Sequence, residues 1–340
     1  MSVGIGIIGP GFMGRTHARA IESARRAGLP CRLVGVAPGG FSDMGGNLPL
    51  RDEAGVDLAG VTEHASIKAM LDDVRVTAVV VCTPTDTHIP LALEALVAGK
   101  HVLVEKPVAL SSAEVLRLCV AAEASGLVCM PGMCMRFWPG WTWLRDRVRG
   151  GELGPVRWAH FERMGSRPSW SPEFYRDPKR CGGAIFDLHV HDVDFIMHLF
   201  GMPASVSSIG MIDRITTQYR FDSSHAPNHV VADGGWVEAS GFPFRMRFTV
   251  EFERGVAEFD LARDEPLVMH AKEPLRTRFG KASAKGAGYE GQARAFVEAV
   301  VAYQRGEPSL LPVTLDEATR VTRVIEAELR SLASGRAESL

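Results

Sequence analysis

A dense group of acid and base side chains lies in Gly182–Asp194, a segment that begins with two glycines. If this segment is helical, Asp187, His191, Asp194 and His198 share one face, because their spacings follow the helical repeat. A carboxylate beside an imidazole can orient the ring and stabilise its cation, which is what general acid–base catalysis requires. We therefore identify Asp187 and His191 as a candidate proton-transfer pair.

Two alternatives stay open for the same segment. Its aspartates and histidines could ligate a metal, although His189 and His191 are two residues apart and diverge on a helix, which disfavours a shared ion. His191 could instead be a structural residue whose hydrogen bonds are satisfied at a helix end. We predict that no metal site is present.

A glycine motif near residue 10 has the spacing of a phosphate-binding turn. It follows the apolar run Val3–Ile8 and precedes the charged, alanine-rich segment Arg15–Ala27, so it joins a predicted strand to a predicted helix. Backbone amides at such a helix N-terminus can hold a pyrophosphate, whereas the alternative is a plain structural turn. The predicted cofactor-binding residues of the motif are Gly9, Gly11, Phe12, Met13 and Gly14.

The acidic residue that usually completes this motif is missing. The second predicted strand, Cys31–Ala37, ends in alanine and is followed by Pro38, where an Asp or Glu would hold both ribose hydroxyls. Its loss removes the usual repulsion of a 2'-phosphate, yet no adjacent arginine attracts one. Contacts to the ribose could come from the loop residues Ser42, Asp43 or Arg51. The sequence leaves the choice between NAD and NADP open.

Two further polar segments follow predicted strands, at the edge where open α/β sheets bind ligands. Thr83 and Pro84 lead to His88 after the strand Ala78–Cys82, and the next strand, His101–Glu105, ends in Glu105, Lys106 and Pro107. The alternatives are a strand terminator that caps the next helix, and a surface lysine. We predict that Thr83, Pro84, His88, Glu105 and Lys106 contact the cofactor.

The order of the predicted elements indicates two kinds of sheet. Short buried strands alternate with helices up to about Pro131, which predicts an N-terminal doubly wound parallel sheet of the Rossmann type. Five tryptophans follow within forty residues, and strands then come in near succession, which favours an open, mostly antiparallel sheet in a C-terminal α+β domain. We predict an α/β protein with a dinucleotide-binding domain at residues 1–130 and a substrate-binding and oligomerisation domain at 131–340.

Sequence patterns also predict two helix starts and a buried helix. Ser111 with Glu114, and Thr314 with Glu317, have the spacing of capping boxes. A continuous helix is predicted over Ala184–Phe200, which would carry the proton-transfer pair.

Charge and composition limit the classes of partner. The 38 basic and 40 acidic side chains leave a formal charge of -2, so we expect no nucleic-acid or anionic-membrane partner. The uncharged N-terminal stretch Met1–Gly14 is too short to cross a bilayer, and because it lacks a basic n-region we expect no signal peptide there. The six cysteines form no Cys-x-x-Cys pair, which suits free thiols in the cytoplasm.

Taken together and in order, these segments resemble the glucose-fructose oxidoreductase and inositol dehydrogenase (Gfo/Idh/MocA) family, over nearly the whole chain. The resemblance implies a nicotinamide cofactor, NAD or NADP, and a homodimer or homotetramer assembled through the C-terminal sheet. It also implies that Lys106, Asp187 and His191 are catalytic. The chain departs from the pattern at Ala37 and at Met133–Met135, where many relatives carry polar residues.

The implied reaction is oxidation of a secondary alcohol of a sugar or polyol, or its reverse. Candidate substrate residues are Arg136, Trp138 and Trp170, and the ring wall could also include Phe137, Phe174 and Tyr175. For the aromatic residues, ordinary packing is the alternative. Two other functions stay open: a glycosidase that uses transient oxidation by NAD, and a non-catalytic dinucleotide-binding sensor.

Overall fold

The computed structural model describes residues 2–41, 56–223, 226–271 and 287–340. These residues form two compact units, the first comprising Met1–Cys134 with Tyr289–Thr319 and the second Met135–Gly288 with Arg320–Leu340. The division of the sequence into functional domains at residue 130 stays a proposal.

The first unit is built on a parallel sheet whose strands, apart from the edge strand Thr62–Glu63, are short, mostly apolar and largely buried, as expected of a sheet covered on both faces. Its six described strands lie in the order β3-β2-β1-β4-β5-β6. They are β1 (Val3–Ile8), β2 (Cys31–Ala37), β3 (Thr62–Glu63), β4 (Ala78–Val81), β5 (His101–Val104) and β6 (Cys129–Pro131). The helices are α1 (Phe12–Arg26), α2 (Ile67–Leu71), α3 (His88–Val97) and α4 (Ser112–Ser125). The doubly wound Rossmann prediction is confirmed.

The second unit is built on a sheet of eight described strands, in which β7 and β10 pair in parallel and the other pairs are antiparallel. Its strands are β7 (Val156–Ser166), β8 (Ser205–Met211), β9 (Arg214–Arg220), β10 (His229–Val237), β11 (Arg245–Phe252), β12 (Gly255–Asp260), β13 (Leu267–His270) and β14 (Glu338–Ser339). Buried and partly exposed side chains alternate along β11 and most of β12, because one face packs more closely than the other. The mostly antiparallel prediction is confirmed.

The remaining helices complete the two units. They are α5 (Pro139–Gly150), α6 (Pro172–Tyr175), α7 (Pro178–Cys181), α8 (Val190–Phe200), α9 (Ala287–Gln304) and α10 (Leu315–Ser334). A π-helical turn, Ile185–His189, precedes α8, so the predicted helix over Ala184–Phe200 is helical throughout but has π-helical geometry in its first part. No helix in the described ranges is long and apolar enough to span a bilayer.

Only one of the two predicted capping boxes forms. Thr314 and Glu317 exchange hydrogen bonds, with the Glu317 amide 3.2 Å from the Thr314 hydroxyl and the Thr314 amide 2.9 Å from the Glu317 carboxylate. The capping box at Ser111 is wrong, because Ser111 takes the N-cap position but its side chain makes no capping hydrogen bond. Sequence spacing allows a box, and the rotamers and neighbours decide whether it closes.

The six cysteines are free thiols, of which only Cys82 is partly exposed. Burial raises the pKa of Cys31 to about 11 and that of Cys129 to about 12, so both stay protonated at neutral pH. We predict that a thiol-reactive chromogenic disulfide labels at most one cysteine rapidly in the native protein and all six in denaturant. Rapid labelling of several native thiols would contradict this burial.

Candidate active site

The glycine motif forms a turn that leaves no room for a side chain at Gly9 or at Gly14. Gly9 has φ +93°, and a Cβ there would lie 2.8 Å from the Cys82 carbonyl oxygen. A Cβ on Gly14 would lie 2.3 Å from the Gly9 carbonyl oxygen. Gly11 is the N-cap of α1, whose first two residues, Phe12 and Met13, are partly exposed. The amides of this turn and helix start therefore make a backbone cradle that fits a pyrophosphate.

The ribose position at the end of β2 is apolar. Ala37 is fully buried, pairs in register with Ile8, and accepts a hydrogen bond from the Gly9 amide at 2.9 Å. It therefore offers no side-chain acceptor for a ribose. Ser42, Asp43 and Arg51, the loop candidates, lie outside the described residues.

His88 connects the two polar segments that follow β4 and β5. Its Nε2 lies 2.7 Å from the Thr83 carbonyl oxygen and its Nδ1 lies 2.9 Å from the Pro107 carbonyl oxygen. The ring is buried, and burial lowers the pKa of His88 against the effect of these two carbonyls. These contacts favour a structural role for His88, while Thr83 is partly exposed and Pro84 is exposed at the sheet edge.

The buried Glu105 carboxylate holds the backbone at Lys106 in place. One carboxylate oxygen of Glu105 lies 2.7 Å from Nε2 of the buried His17, and the other accepts a hydrogen bond from the Lys106 amide at 3.0 Å. Burial by itself raises the pKa of Glu105, but His17 and Lys106 together hold that pKa below its ordinary value. The buried carboxylate fixes the backbone from which the half-buried Lys106 side chain extends.

The segment that carries Asp187 is held by the turn between β8 and β9. Gly183 has φ +75°, and a Cβ there would lie 2.7 Å from the Ile212 side chain. The Ala184 amide donates to the Asp213 carboxylate at 3.2 Å, and the Ile185 amide donates to the Ile212 carbonyl at 3.1 Å. These bonds satisfy amides that start a helix, so the turn acts as its cap. Gly183, the second of the two glycines that open the segment, therefore has a structural reason.

Asp187 lies in the π-helical turn beside an aromatic cluster that sequence reasoning identified only in part. The indole Nε1 of Trp236 donates to Oδ2 of Asp187 at 3.1 Å. The Tyr175 ring lies 5.7 Å from that of Trp236 and 5.6 Å from that of Trp170. Burial, and after it the charge of Asp187, raises the pKa of Tyr175, so its phenol stays neutral. Trp236 was missed because it lies 49 residues from Asp187.

Two buried ion pairs involve aspartates that closely follow His191 in the sequence. His191 itself is 7% exposed. Asp192 accepts from the Arg163 guanidinium at 2.9 Å, and Asp194 accepts from the Arg136 guanidinium at 2.6 Å. Paired charges of this kind fix the register of the helix that carries His191.

Of the four residues expected to share a helix face, Asp194 and His198 contact arginines. The Asp194 carboxylate is engaged by Arg136, and Nε2 of His198 lies 3.3 Å from the Arg149 guanidinium. Asp187 and His191 remain the proton-transfer candidates. The predicted substrate residue Arg136 thus lies buried against Asp194, Trp138 is only 1% exposed, and Trp170 remains partly exposed beside Tyr175.

His189 takes part in a separate buried network. Its Nε2 lies 3.1 Å from the Tyr219 hydroxyl and 3.3 Å from a Glu328 carboxylate oxygen, and the Tyr219 hydroxyl donates to the other Glu328 oxygen at 2.7 Å. Burial alone lowers the pKa of His189, but the charge and hydrogen bond of Glu328 raise it overall. Among the described residues, no group of three His, Cys, Asp or Glu side chains could hold a metal ion.

The chain matches two models of a single protein family. Residues 3–133 match the oxidoreductase family with an NAD-binding Rossmann fold, and residues 141–257 match the GFO/IDH/MocA C-terminal domain. Together the two matches span more than half of the chain.

The chain is also similar to curated proteins and to solved structures. Inositol 2-dehydrogenase of Rhizobium meliloti (strain 1021) is 33% identical over 215 residues, which are 62% of this chain and 59% of the relative. scyllo-Inositol 2-dehydrogenase (NAD(+)) of Bacillus subtilis (strain 168) is 31% identical over 174 residues, 46% and 48% of the two chains. These alignments thus span roughly half of the curated relatives. GenD2 from gentamicin A biosynthesis, solved in complex with NAD, is 26% identical with a TM-score of 0.77 and coverage of 100% and 96%.

Proposed function

Because the chain belongs to the Gfo/Idh/MocA oxidoreductase family, we propose that it oxidises a secondary alcohol of a sugar, polyol or related cyclic substrate, or catalyses the reverse reduction. The observation that carries this proposal is the Asp187 carboxylate, held by Trp236 on the same helical segment as the buried His191. Inositol dehydrogenases among the relatives support a cyclic polyol.

The cofactor-binding part of the proposal depends on the backbone cradle at Gly9–Gly14. The amides there bind the pyrophosphate, and the α1 helix dipole adds to the attraction. A bound nicotinamide cofactor supplies the acceptor for the hydride. Glu105 and His88 hold the two strand-end segments in place, and Thr83, Pro84 and Lys106 contact the cofactor.

The proton chemistry is assigned to three side chains. In the oxidation, the C–H bond of the alcohol breaks as the hydride leaves, and the O–H proton moves to His191 while the C=O bond forms. Asp187 holds the imidazole and stabilises the cation that results. Lys106 donates a hydrogen bond to the same oxygen and favours its developing negative charge.

The proposal includes aromatic side chains that contact the substrate ring. Trp170, with Tyr175 beside it, is a better candidate for a sugar-ring contact than Trp138, because Trp138 is buried.

We further propose that the protein forms a homodimer or homotetramer through the sheet of the second unit. Ile209 and Met211 on β8 of that sheet are exposed.

A panel of sugars and inositols, each tested with NAD and with NADP, tests this function through the absorbance of the reduced nicotinamide. Turnover of at least one cyclic secondary alcohol is expected. Cleavage of glycosides without net reduction of the cofactor would instead support the glycosidase. Cofactor binding without turnover of any panel member would support the sensor.

We predict that activity does not depend on added metal. The reason lies in the donor set, since His189 is engaged by Tyr219 and Glu328 while Asp192 and Asp194 are engaged by arginines. Dialysis against a chelator is expected to leave kcat unchanged. Loss of activity that zinc restores would contradict the prediction.

A further inference from the structure

One acidic side chain lies next to the position where the ribose acid is missing. Glu63 is the last residue of β3, and it pairs in register with Val36, the residue before Ala37. Two backbone hydrogen bonds fix this register, from the His64 amide to the Val36 carbonyl at 2.9 Å and from the Gly39 amide to the His64 carbonyl at 3.1 Å. Glu63 is therefore held at the same carboxyl edge of the sheet as the end of β2.

The Glu63 carboxylate lies against Gly40, in the segment that follows β2. A Cβ on Gly40 would lie 2.5 Å from Oε1 of Glu63 and 2.8 Å from its Cδ, so the carboxylate rests against the Gly40 backbone. Any larger residue at 40 would displace it. The side chain is exposed, so its charge faces solvent and a bound ligand can meet it.

We propose that Glu63 replaces the missing acid of β2, accepts hydrogen bonds from the adenosine ribose hydroxyls, and selects NAD over NADP. This rests on the proposed function, which requires a nicotinamide cofactor at the Gly9–Gly14 cradle. A carboxylate accepts hydrogen bonds from vicinal hydroxyls, whereas a 2'-phosphate in the same place meets a like charge. Ala37 cannot discriminate in this way because it carries no charge.

The test measures affinity for NADH and for NADPH separately, by nicotinamide fluorescence without substrate. The wild-type protein is compared with Glu63→Gln, which keeps the shape and removes the charge, and with Glu94→Gln, an equivalent change at an exposed position on α3. In Glu63→Gln the preference for NADH over NADPH is expected to fall by about tenfold or more, which corresponds to the loss of a single charge-assisted contact. Glu94→Gln is expected to leave the preference unchanged.

The dependence of the two affinities on salt provides a second measurement. If like-charge repulsion weakens the binding of NADPH, raising the ionic strength should lower the ratio of NADH affinity to NADPH affinity. This fall should be larger in the wild type than in Glu63→Gln. If the wild type binds NADH and Glu63→Gln has the same ratio of NADH affinity to NADPH affinity, the proposed role of Glu63 is wrong and the cofactor assignment stands. A wild type that binds neither cofactor would overturn the cofactor assignment and this proposal with it.

Discussion

Replacing His191 with alanine is expected to lower kcat about a thousandfold while leaving the affinity for NADH close to that of the wild type. A positioned general base contributes on the order of 10²–10⁴ in rate, and the imidazole acts on the substrate proton, not on the pyrophosphate. The measurements are steady-state kinetics with a substrate from the panel and a fluorescence titration with NADH. A similar loss of binding and of kcat would contradict the assignment.

The matched control is His198→Ala, because His198 lies on the same helix and contacts Arg149 at the partly exposed end of α8. It is expected to retain nearly full activity. If the two alanine variants lose activity equally, the effect comes from disturbing α8 and the role of His191 in proton transfer is wrong. The comparison therefore separates chemistry from helix packing.

Much of the fold could be predicted because its signals are local. The apolar run Val3–Ile8, the glycines that follow it and the helix after them lie within 26 residues, and the structure reproduces that order. Thr314 and Glu317, which lie within one turn of each other, form the predicted capping box. Where the same pattern failed, at Ser111, the backbone conformation was still that of an N-cap.

The parts that could not be predicted depend on pairs distant in sequence. Trp236 reaches Asp187 only because β10 packs beside the π-helical turn, and Glu63 reaches Gly40 only because β3 pairs with β2. The π-helical turn is held at its start by the amides of Ala184 and Ile185, which donate to the turn between β8 and β9. Periodicity within one segment carries no information about such partners.

Replacing Asp194 with alanine is expected to destabilise the protein by about 3–5 kcal/mol, the typical cost of leaving one member of a buried pair uncompensated. The Arg136 and Asp194 side chains are 3% and 1% exposed, and the guanidinium contacts the carboxylate through Nε and a terminal nitrogen. Without Asp194, that buried charge loses its counter-ion. Urea unfolding followed by tryptophan fluorescence and by circular dichroism measures the loss.

The exposed pair Arg220–Asp222, with side chains 71% and 70% exposed, provides the control, and Asp222→Ala is expected to change stability by less than about 0.5 kcal/mol. Replacing both buried partners, as Arg136→Met with Asp194→Leu, should recover most of the loss, because no unpaired charge then remains buried. A small loss in Asp194→Ala would contradict the structural role. If the stable double variant also keeps its KM, Arg136 is not a substrate residue, and the pair serves only to hold the helix that carries His191.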